Sequence, residues 1–149
     1  MATKIRLQAD LKEFLRLLDS NRVEYLLIGG YAVGYYGYPR PTGDLDVWIA
    51  ISPPNAERIA TALKEFGFAA SPELFLQENN VVRMGVRPFQ VEILTTIDGV
   101  DFRECYEKRN SVEIDGAQIT LIDLQHLRIN KKASGRLKDL NDLENLPEQ

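Results

Sequence analysis

Two aspartates separated by one residue begin an apolar segment of the chain, and their type and spacing suit metal-assisted chemistry on phosphates. Asp44 and Asp46 flank Leu45, and residues 47–49 continue the segment as an apolar run typical of a buried strand. Successive side chains of a strand point to opposite faces, so the two carboxylates share one face. Paired carboxylates repel each other and are costly to desolvate, and a hard divalent cation relieves both problems. Because Mg²⁺ binds through one or two carboxylates plus substrate phosphates, the pair predicts a site of phosphoryl chemistry.

A third carboxylate, Glu92, lies in the middle of the apolar segment Phe89–Leu94, where Val91 and Ile93 face the other way. If this strand neighbours the strand of Asp44, three carboxylates converge. Two metal ions bridged by them would hold a triphosphate and polarise an attacking hydroxyl. The competing interpretation is that the aspartate pair only caps or solvates a loop, which is the usual role of such pairs.

A glycine pair, Gly29 and Gly30, follows the apolar residues 25–28. The structural interpretation, which is the commoner one, is a tight strand-to-helix turn that needs a positive φ. The functional interpretation is a close approach of backbone N–H groups to a phosphate. Arg40 and Thr42, in the turn ahead of the aspartate pair, either contact phosphate or brace the loop.

Four cations are concentrated between Lys131 and Lys138, in a chain whose formal net charge is −4. One interpretation is a solvated helix pair whose cations suit the helix dipole. The other is a cationic surface that faces a triphosphate from the side opposite the metal. Asp139 and Asp142 either orient these cations or favour the helix that follows.

The elements that must position these residues can be predicted from hydrophobic periodicity and turn signals. If the first helix starts late, Asp10 and Glu13 form a capping box there. The pattern implies an α+β fold, with a mixed β-sheet covered by helices. The predicted elements are a helix at 7–18, strands at 23–28 and 45–51, a helix at 54–66, strands at 81–86 and 89–94, a helix at 102–108, a hairpin at 111–121, and helices at 123–134 and 136–146.

Size and composition limit the classes of protein. With 149 residues and 44% hydrophobic content, the chain is expected to form a single domain, 1–149, around one core. The acidic balance argues against a broadly basic nucleic-acid surface. The lone Cys105 excludes an intramolecular disulfide and fits a reducing compartment. No apolar run reaches about 18 residues, so no membrane span is expected, and the prediction is a soluble cytoplasmic protein.

With these residues in place, the chain resembles the nucleotidyltransferase superfamily that includes DNA polymerase β. The signature of that superfamily is a Gly-Gly or Gly-Ser after the first strand, an Asp-h-Asp on the second and a carboxylate on a later strand. The corresponding residues here are Gly29-Gly30, Asp44-Leu45-Asp46 and Glu92. The resemblance implies a minimal nucleotidyltransferase fold over nearly the whole chain.

The segment 123–146 is similar to the closing helices of abortive-infection-type nucleotidyltransferase toxins and related small bacterial proteins. Those helices carry a Lys, then an Arg, then Asp-x-x-Asp. The matching residues here are Lys131 or Lys132, Arg136, Asp139 and Asp142. The Gly-Gly-x-Ala pattern and the Arg-x-Thr-x-Asp pattern are also similar to antibiotic adenylyltransferases of the lincosamide type.

The resemblance implies a metal role for the carboxylates. Asp44 and Asp46 would hold Mg²⁺ ions that bridge the phosphates of a nucleotide. Glu92 would complete the second metal site and accept the proton of an acceptor hydroxyl. This position departs from the commoner aspartate of the superfamily, although the longer side chain of glutamate can still reach a metal.

The resemblance also implies how the triphosphate is held. Gly29 and Gly30 would cradle the β- and γ-phosphates, and Lys131 with Arg136 would neutralise their charge. Gly135 compresses the spacing between the lysine and the arginine relative to the family pattern, which leaves the choice between the two adjacent lysines open.

The implied reaction transfers a nucleoside monophosphate from a nucleoside triphosphate, with ATP the expected donor, to a hydroxyl acceptor with release of pyrophosphate. The chain is too short for an added acceptor-binding domain. The acceptor is therefore expected to be a partner protein, an RNA end or a small molecule held at a homodimer interface. A toxin–antitoxin-type system is one setting for such an enzyme. Two alternatives stay open: a catalytically silent module of the same fold that binds a nucleotide or a partner protein, and an antibiotic-modifying adenylyltransferase.

Overall fold

The computed structural model describes residues 7–39, 43–86 and 89–148, in which helices and strands follow one another along the chain. The elements are α1 (Ala9–Ser20), β1 (Tyr25–Ile28), α2 (Gly29–Tyr35), β2 (Asp44–Ile49), α3 (Pro53–Phe66), a 3₁₀ turn (Pro72–Phe75), β3 (Val81–Val86), β4 (Phe89–Leu94), α4 (Phe102–Glu107), β5 (Asn110–Ile114), β6 (Ala117–Leu121), α5 (Leu124–Ser134) and α6 (Leu137–Asn145).

The strands form one mixed sheet in the order β3-β4-β2-β1-β6-β5. The central strands β1 and β2 are antiparallel, whereas β4 lies parallel to β2 and β6 lies parallel to β1. Strands β3 and β5 complete the two edges as antiparallel partners of β4 and β6. This arrangement confirms the predicted α+β fold with a mixed sheet.

The core is built from the apolar faces of the helices and the inward faces of the central strands. Helices α1 and α3 pack against each other and contribute side chains that are fully buried, such as Phe14 and Ile59. Leu27 and Val47 contribute the matching surface from β1 and β2, where they are direct partners across the ladder. Among the described residues, none of the helices is both long enough and apolar enough to cross a membrane.

Local signals explain most element boundaries. Helix α3 begins after Ser52, whose side chain accepts a hydrogen bond from the Asn55 N–H, and ends at Gly67 with a φ of 103°. The β5–β6 hairpin turns at Asp115 and Gly116, whose φ values of 49° and 83° suit a tight two-residue turn.

Two expectations about boundaries need correction. The capping box of Asp10 and Glu13 does not form, because the side chain of Gln8 accepts the N–H groups of Asp10 and Leu11 and caps α1 two residues earlier. Glu13 instead pairs with Arg16. Strand β2 spans Asp44–Ile49, so both aspartates belong to the strand ladder and it ends two residues before the predicted position.

Candidate active site

Asp46 lies in the middle of the sheet, on a strand with neighbours on both sides. In the β1–β2 ladder it is opposite Ile28, and in the β2–β4 ladder it is opposite Glu92. The condition set by the sequence is therefore met: the strand of Glu92 is the direct neighbour of the strand of Asp44 and Asp46. Asp44 lies two residues earlier on the same strand, opposite Gln90.

The environment of Asp46 is electrostatically unfavourable for a carboxylate. Its Oδ1 atom is buried and has no hydrogen-bond partner among the described residues. Burial raises the pKa of Asp46 to about 6, and the negative charges of Glu92 and Asp44 add to the shift. The positive charges of Lys138 and Lys131 oppose it from across the site. A cation that binds to this carboxylate would therefore relieve the electrostatic cost of its buried negative charge.

Gly29 explains how the Asp46 carboxylate comes so close to the main chain. It has a φ of 70°, and a Cβ atom placed on it would lie 2.3 Å from Asp46 Oδ2. A side chain at this position would therefore clash with the carboxylate and strain the backbone. The glycine is required both for the turn from β1 into α2 and for the close approach of Asp46.

A cavity of about 290 Å³ opens beside Asp46. Asp46 and Glu92 form one side of it, which we call the acidic wall. Three cations from α5, α6 and the turn between them also line the cavity; we call Lys131, Arg136 and Lys138 the basic wall. Gly29 and Gly30 also line the cavity, so bare main chain borders the space between the two walls.

Buried aspartates hold the basic wall in place. Lys131 Nζ lies 3.1 Å from Asp139 Oδ1 and 3.1 Å from Asp142 Oδ2, and all three residues are buried. Arg136 Nε donates to Asp139 Oδ2 over 2.7 Å, and the Ser134 hydroxyl donates to the same carboxylate. Burial alone would raise the pKa of Asp139, but the hydrogen bonds from Ser134, Arg136 and Lys131 outweigh it and lower the pKa to about 2.

The structure distinguishes the two adjacent lysines. Lys131 is buried and lines the cavity, whereas Lys132 is exposed. Arg136 also lines the cavity, and its pKa is raised by the hydrogen bond to Asp139, by the charge of Asp139 and further by the charges of Asp98 and Asp46. Of the predicted phosphate contacts, Arg40 and Thr42 lie outside the described residues.

Two charged residues of the cavity lining, Arg83 and Asp98, were missed by sequence reasoning. Arg83 is opposite Glu92 in the β3–β4 ladder, and its Nε atom lies 3.3 Å from Glu92 Oε1. Lys138 belongs to the cation cluster that the sequence shows, so its charge was visible although its position was not. No local pattern marks Arg83 or Asp98, because their place depends on strand register and on the turn after β4.

The donor set fits a divalent cation that is completed by a ligand. Within residues 7–39, 43–86 and 89–148, no three His, Cys, Asp or Glu side chains form a group that could hold a metal ion by themselves. The buried, unpartnered Oδ1 of Asp46 is nevertheless the kind of oxygen that a hard cation binds. Magnesium sites commonly have few protein carboxylates and obtain their remaining ligands from phosphates and water.

Comparison with known proteins agrees with this geometry. The model of the family described as "Nucleotidyl transferase of unknown function" (DUF2204) matches residues 7–149. No curated protein matches the chain. A candidate nucleotidyltransferase from Thermotoga maritima has a similar structure, with a TM-score of 0.61 and 18% identity over 90% of this chain and 88% of that one. An antigenic nucleotidyltransferase-like protein from Paracoccidioides brasiliensis has a TM-score of 0.52 and 19% identity, over 93% and 75% of the respective chains. At these identities the two structures show a shared fold.

Proposed function

The chain belongs to the family of nucleotidyl transferases of unknown function, and on this premise we propose that it is an Mg²⁺-dependent enzyme that transfers a nucleoside monophosphate from a nucleoside triphosphate to a hydroxyl acceptor. The observation that carries the proposal is the Asp46 carboxylate, buried and unpartnered at Oδ1 in a cavity that also contains Glu92 and three cations. An acidic wall that faces a basic wall suits a metal-bound triphosphate, whose phosphates are negative and whose metal is positive.

The acidic wall would act on the reacting groups. Asp46 and Glu92, together with Asp44 two residues earlier on β2, would bind Mg²⁺, which supplies charge neutralisation on the phosphates and lowers the pKa of the acceptor hydroxyl. In the transfer, the acceptor oxygen forms a bond to the α-phosphorus, the bond from the α-phosphorus to the bridging oxygen breaks, and pyrophosphate leaves. Glu92 accepts the hydroxyl proton, since its side chain is partly exposed to the cavity.

The basic wall would bind the leaving phosphates. An ammonium group has three N–H donors, and Lys131 uses two of them on Asp139 and Asp142, which leaves one for the cavity that it lines. Arg136 and Lys138 are exposed and contact the cavity from the same side. Gly29 and Gly30 present bare main chain, so a phosphate can approach their N–H groups without meeting a side chain.

A catalytically silent module of the same fold is the alternative, and the state of Asp46 argues against it. A buried carboxylate without a hydrogen-bond partner lowers the stability of the protein. A protein that only binds a partner has no use for a carboxylate that lowers its stability, whereas a metal-dependent enzyme needs this carboxylate to bind the metal.

The finer parts of the proposal concern substrate and setting. ATP is the proposed donor, and the acceptor is a partner protein, an RNA end or a small molecule, with a homodimer as one way to hold it. The proposed setting is a toxin–antitoxin-type system in the cytoplasm.

In that setting, induced expression of the wild-type protein should arrest the growth of the host cells, whereas expression of Asp46→Asn should not. Equal growth of both strains would reject this setting.

Calorimetric titration tests the core of the proposal. Wild-type protein is titrated with ATP, GTP, CTP and UTP, with and without Mg²⁺, and compared with Asp46→Asn. Asp19→Asn, at an exposed position of α1, is the matched control for the loss of one negative charge. We expect Mg²⁺-dependent binding of at least one nucleotide by wild type and Asp19→Asn, and its loss in Asp46→Asn.

Three results would contradict the proposal. Equal nucleotide affinity in Asp46→Asn would remove the metal assignment. No binding of any nucleotide by the wild-type protein would reject the nucleotide site and favour a binding module. If the protein binds a nucleotide but releases no pyrophosphate from it with any class of acceptor, the catalytically silent module is favoured.

A further inference from the structure

Arg83 is a charged residue of the cavity that belongs to neither group of residues invoked so far. It lies on β3, at the edge of the sheet, directly opposite Glu92 in the neighbouring strand. Its Nε atom donates to Glu92 Oε1 over 3.3 Å, and both side chains line the cavity. A cation on the edge strand β3 is therefore paired directly with Glu92 of the acidic wall.

A guanidinium group and a divalent cation compete for the same carboxylate. Glu92 forms an ion pair with Arg83, and its side chain is only 21% exposed. Asp46 has no such partner at Oδ1. A metal that binds between Asp46 and Glu92 would therefore compete with Arg83 for the negative charge of Glu92, and the ion pair would weaken metal binding.

Arg83 is able to move once it is displaced. Its side chain is 61% exposed and lies on an edge strand, so little packing holds it in one rotamer. The guanidinium presents a planar set of donors that matches the oxygens of a phosphate. From its place in the cavity lining, on the edge strand next to Glu92, it would reach a triphosphate bound in the cavity.

We propose that Arg83 is an exchangeable counter-ion: it pairs with Glu92 in the metal-free protein, releases Glu92 to a divalent cation, and then binds the phosphates that the cation brings. This inference rests on the proposed function, since it needs the acidic wall to bind a metal. It adds a positioning and phosphate-binding residue, and it makes metal binding and phosphate binding depend on each other.

The test measures metal and phosphate separately. Mn²⁺ binding without nucleotide is followed by the paramagnetic resonance signal of the unbound ion, and inorganic tripolyphosphate binding in the presence of Mg²⁺ is followed by calorimetry. For Arg83→Gln we expect Mn²⁺ affinity to rise about two- to fivefold, the range that an exposed ion pair gives. Tripolyphosphate affinity should fall about five- to tenfold, because a charge-assisted contact is lost. A residue that only stabilises the strand would not change the two affinities in opposite directions.

Three further variants make the comparison specific. Lys138→Gln removes an equal charge from the same cavity while leaving the ion pair of Arg83 and Glu92 in place, so it should raise Mn²⁺ affinity less than Arg83→Gln does. Arg103→Gln removes an arginine that is paired with Glu24 outside this cavity, and it should change neither affinity. Arg83→Lys keeps the charge and should restore Mn²⁺ affinity close to the wild-type value.

Several outcomes would overturn the inference. If Lys138→Gln raises Mn²⁺ affinity as much as Arg83→Gln, the effect is one of overall charge. If tripolyphosphate affinity is unchanged in Arg83→Gln, the residue does not bind phosphate. If nucleotide binding is lost in Asp46→Asn but unchanged in Arg83→Gln, only this inference is rejected. If the wild-type protein binds neither Mn²⁺ nor tripolyphosphate, the proposed function is rejected as well.

Discussion

At the scale of single residues, Asp46 links the stability of the protein to its proposed chemistry. The carboxylate is placed by strand register between β1 and β4, with a second carboxylate opposite it and a glycine turn above it. Its elevated pKa shows that the folded protein disfavours the charged form that a metal needs. The cost is therefore present in the metal-free protein and is relieved when a cation binds.

Asp46→Asn should stabilise the metal-free protein, with a pH dependence of known sign. Burial first, and then Glu92 and Asp44, raise the pKa of Asp46 from 3.8 to about 6. The contribution of this group to stability is thus fully present below pH 3.8 and is lost as the pH rises to about 6. At pH 7 the variant should be more stable than wild type by about 1–3 kcal/mol. Urea denaturation at pH 4, 5 and 7 measures the difference, and a difference that does not grow with pH would contradict the pKa assignment.

The sequence indicates some of these residues and not others, for a physical reason. The alternation of strand side chains places Asp44 and Asp46 on one face, and it turns Glu92 away from Val91 and Ile93. Whether β4 neighbours β2, and which residue stands opposite Glu92, depends on contacts between distant segments. Local pattern therefore predicts the carboxylates but cannot predict the pairing of Arg83.

At the scale of elements, the helix pair α5–α6 is joined by buried charges. Lys131 on α5 lies between Asp139 and Asp142 on α6, and all three are buried. A buried ion pair contributes modest stability as a whole, but removing one partner leaves the other desolvated and uncompensated. The same contacts that fix the two helices therefore fix the lysine of the basic wall.

Asp139→Asn should destabilise the protein by about 2–4 kcal/mol at pH 7, because Lys131 and Arg136 both lose a charged partner. The pKa of Asp139 is about 2, so its contribution is present above pH 3.8 and is lost as the pH falls toward 2. Urea denaturation of wild type, Asp139→Asn and the exposed Asp19→Asn measures the effect. A change below about 0.5 kcal/mol, within the range of an ordinary surface substitution, would contradict the role given to this ion cluster.

Element boundaries are predictable where one residue forces the backbone. Gly67 and Gly135 end α3 and α5 in the left-handed region, and the Asp115-Gly116 turn fixes the β5–β6 register. Helix α1 does not take the late start that Asp10 and Glu13 would have capped, because Gln8 takes the capping role. Several polar side chains near a helix start can cap it, and sequence alone does not rank them.

At the scale of the whole molecule, the cavity lies between two parts of the chain that are far apart in sequence. The acidic wall comes from β2 and β4, and the basic wall comes from α5 and α6 with the residue between them. The two walls keep their spacing only if sheet and helices behave as one unit. The expectation of a single domain, which was made from chain length and hydrophobic content, is therefore also a condition for the proposed site.

Unfolding in urea should consequently be a single cooperative transition. Trp48 is the only tryptophan of the chain and is 2% exposed on β2, where its indole N–H donates to the Thr95 carbonyl. Its fluorescence reports the sheet, whereas far-UV circular dichroism is dominated by the helices. If the chain forms one cooperative unit, the two signals give the same midpoint and slope. An earlier loss of helical signal would mean that α5 and α6 unfold on their own, and the basic wall would then form a stable part of the site only when a ligand or partner holds it against the sheet.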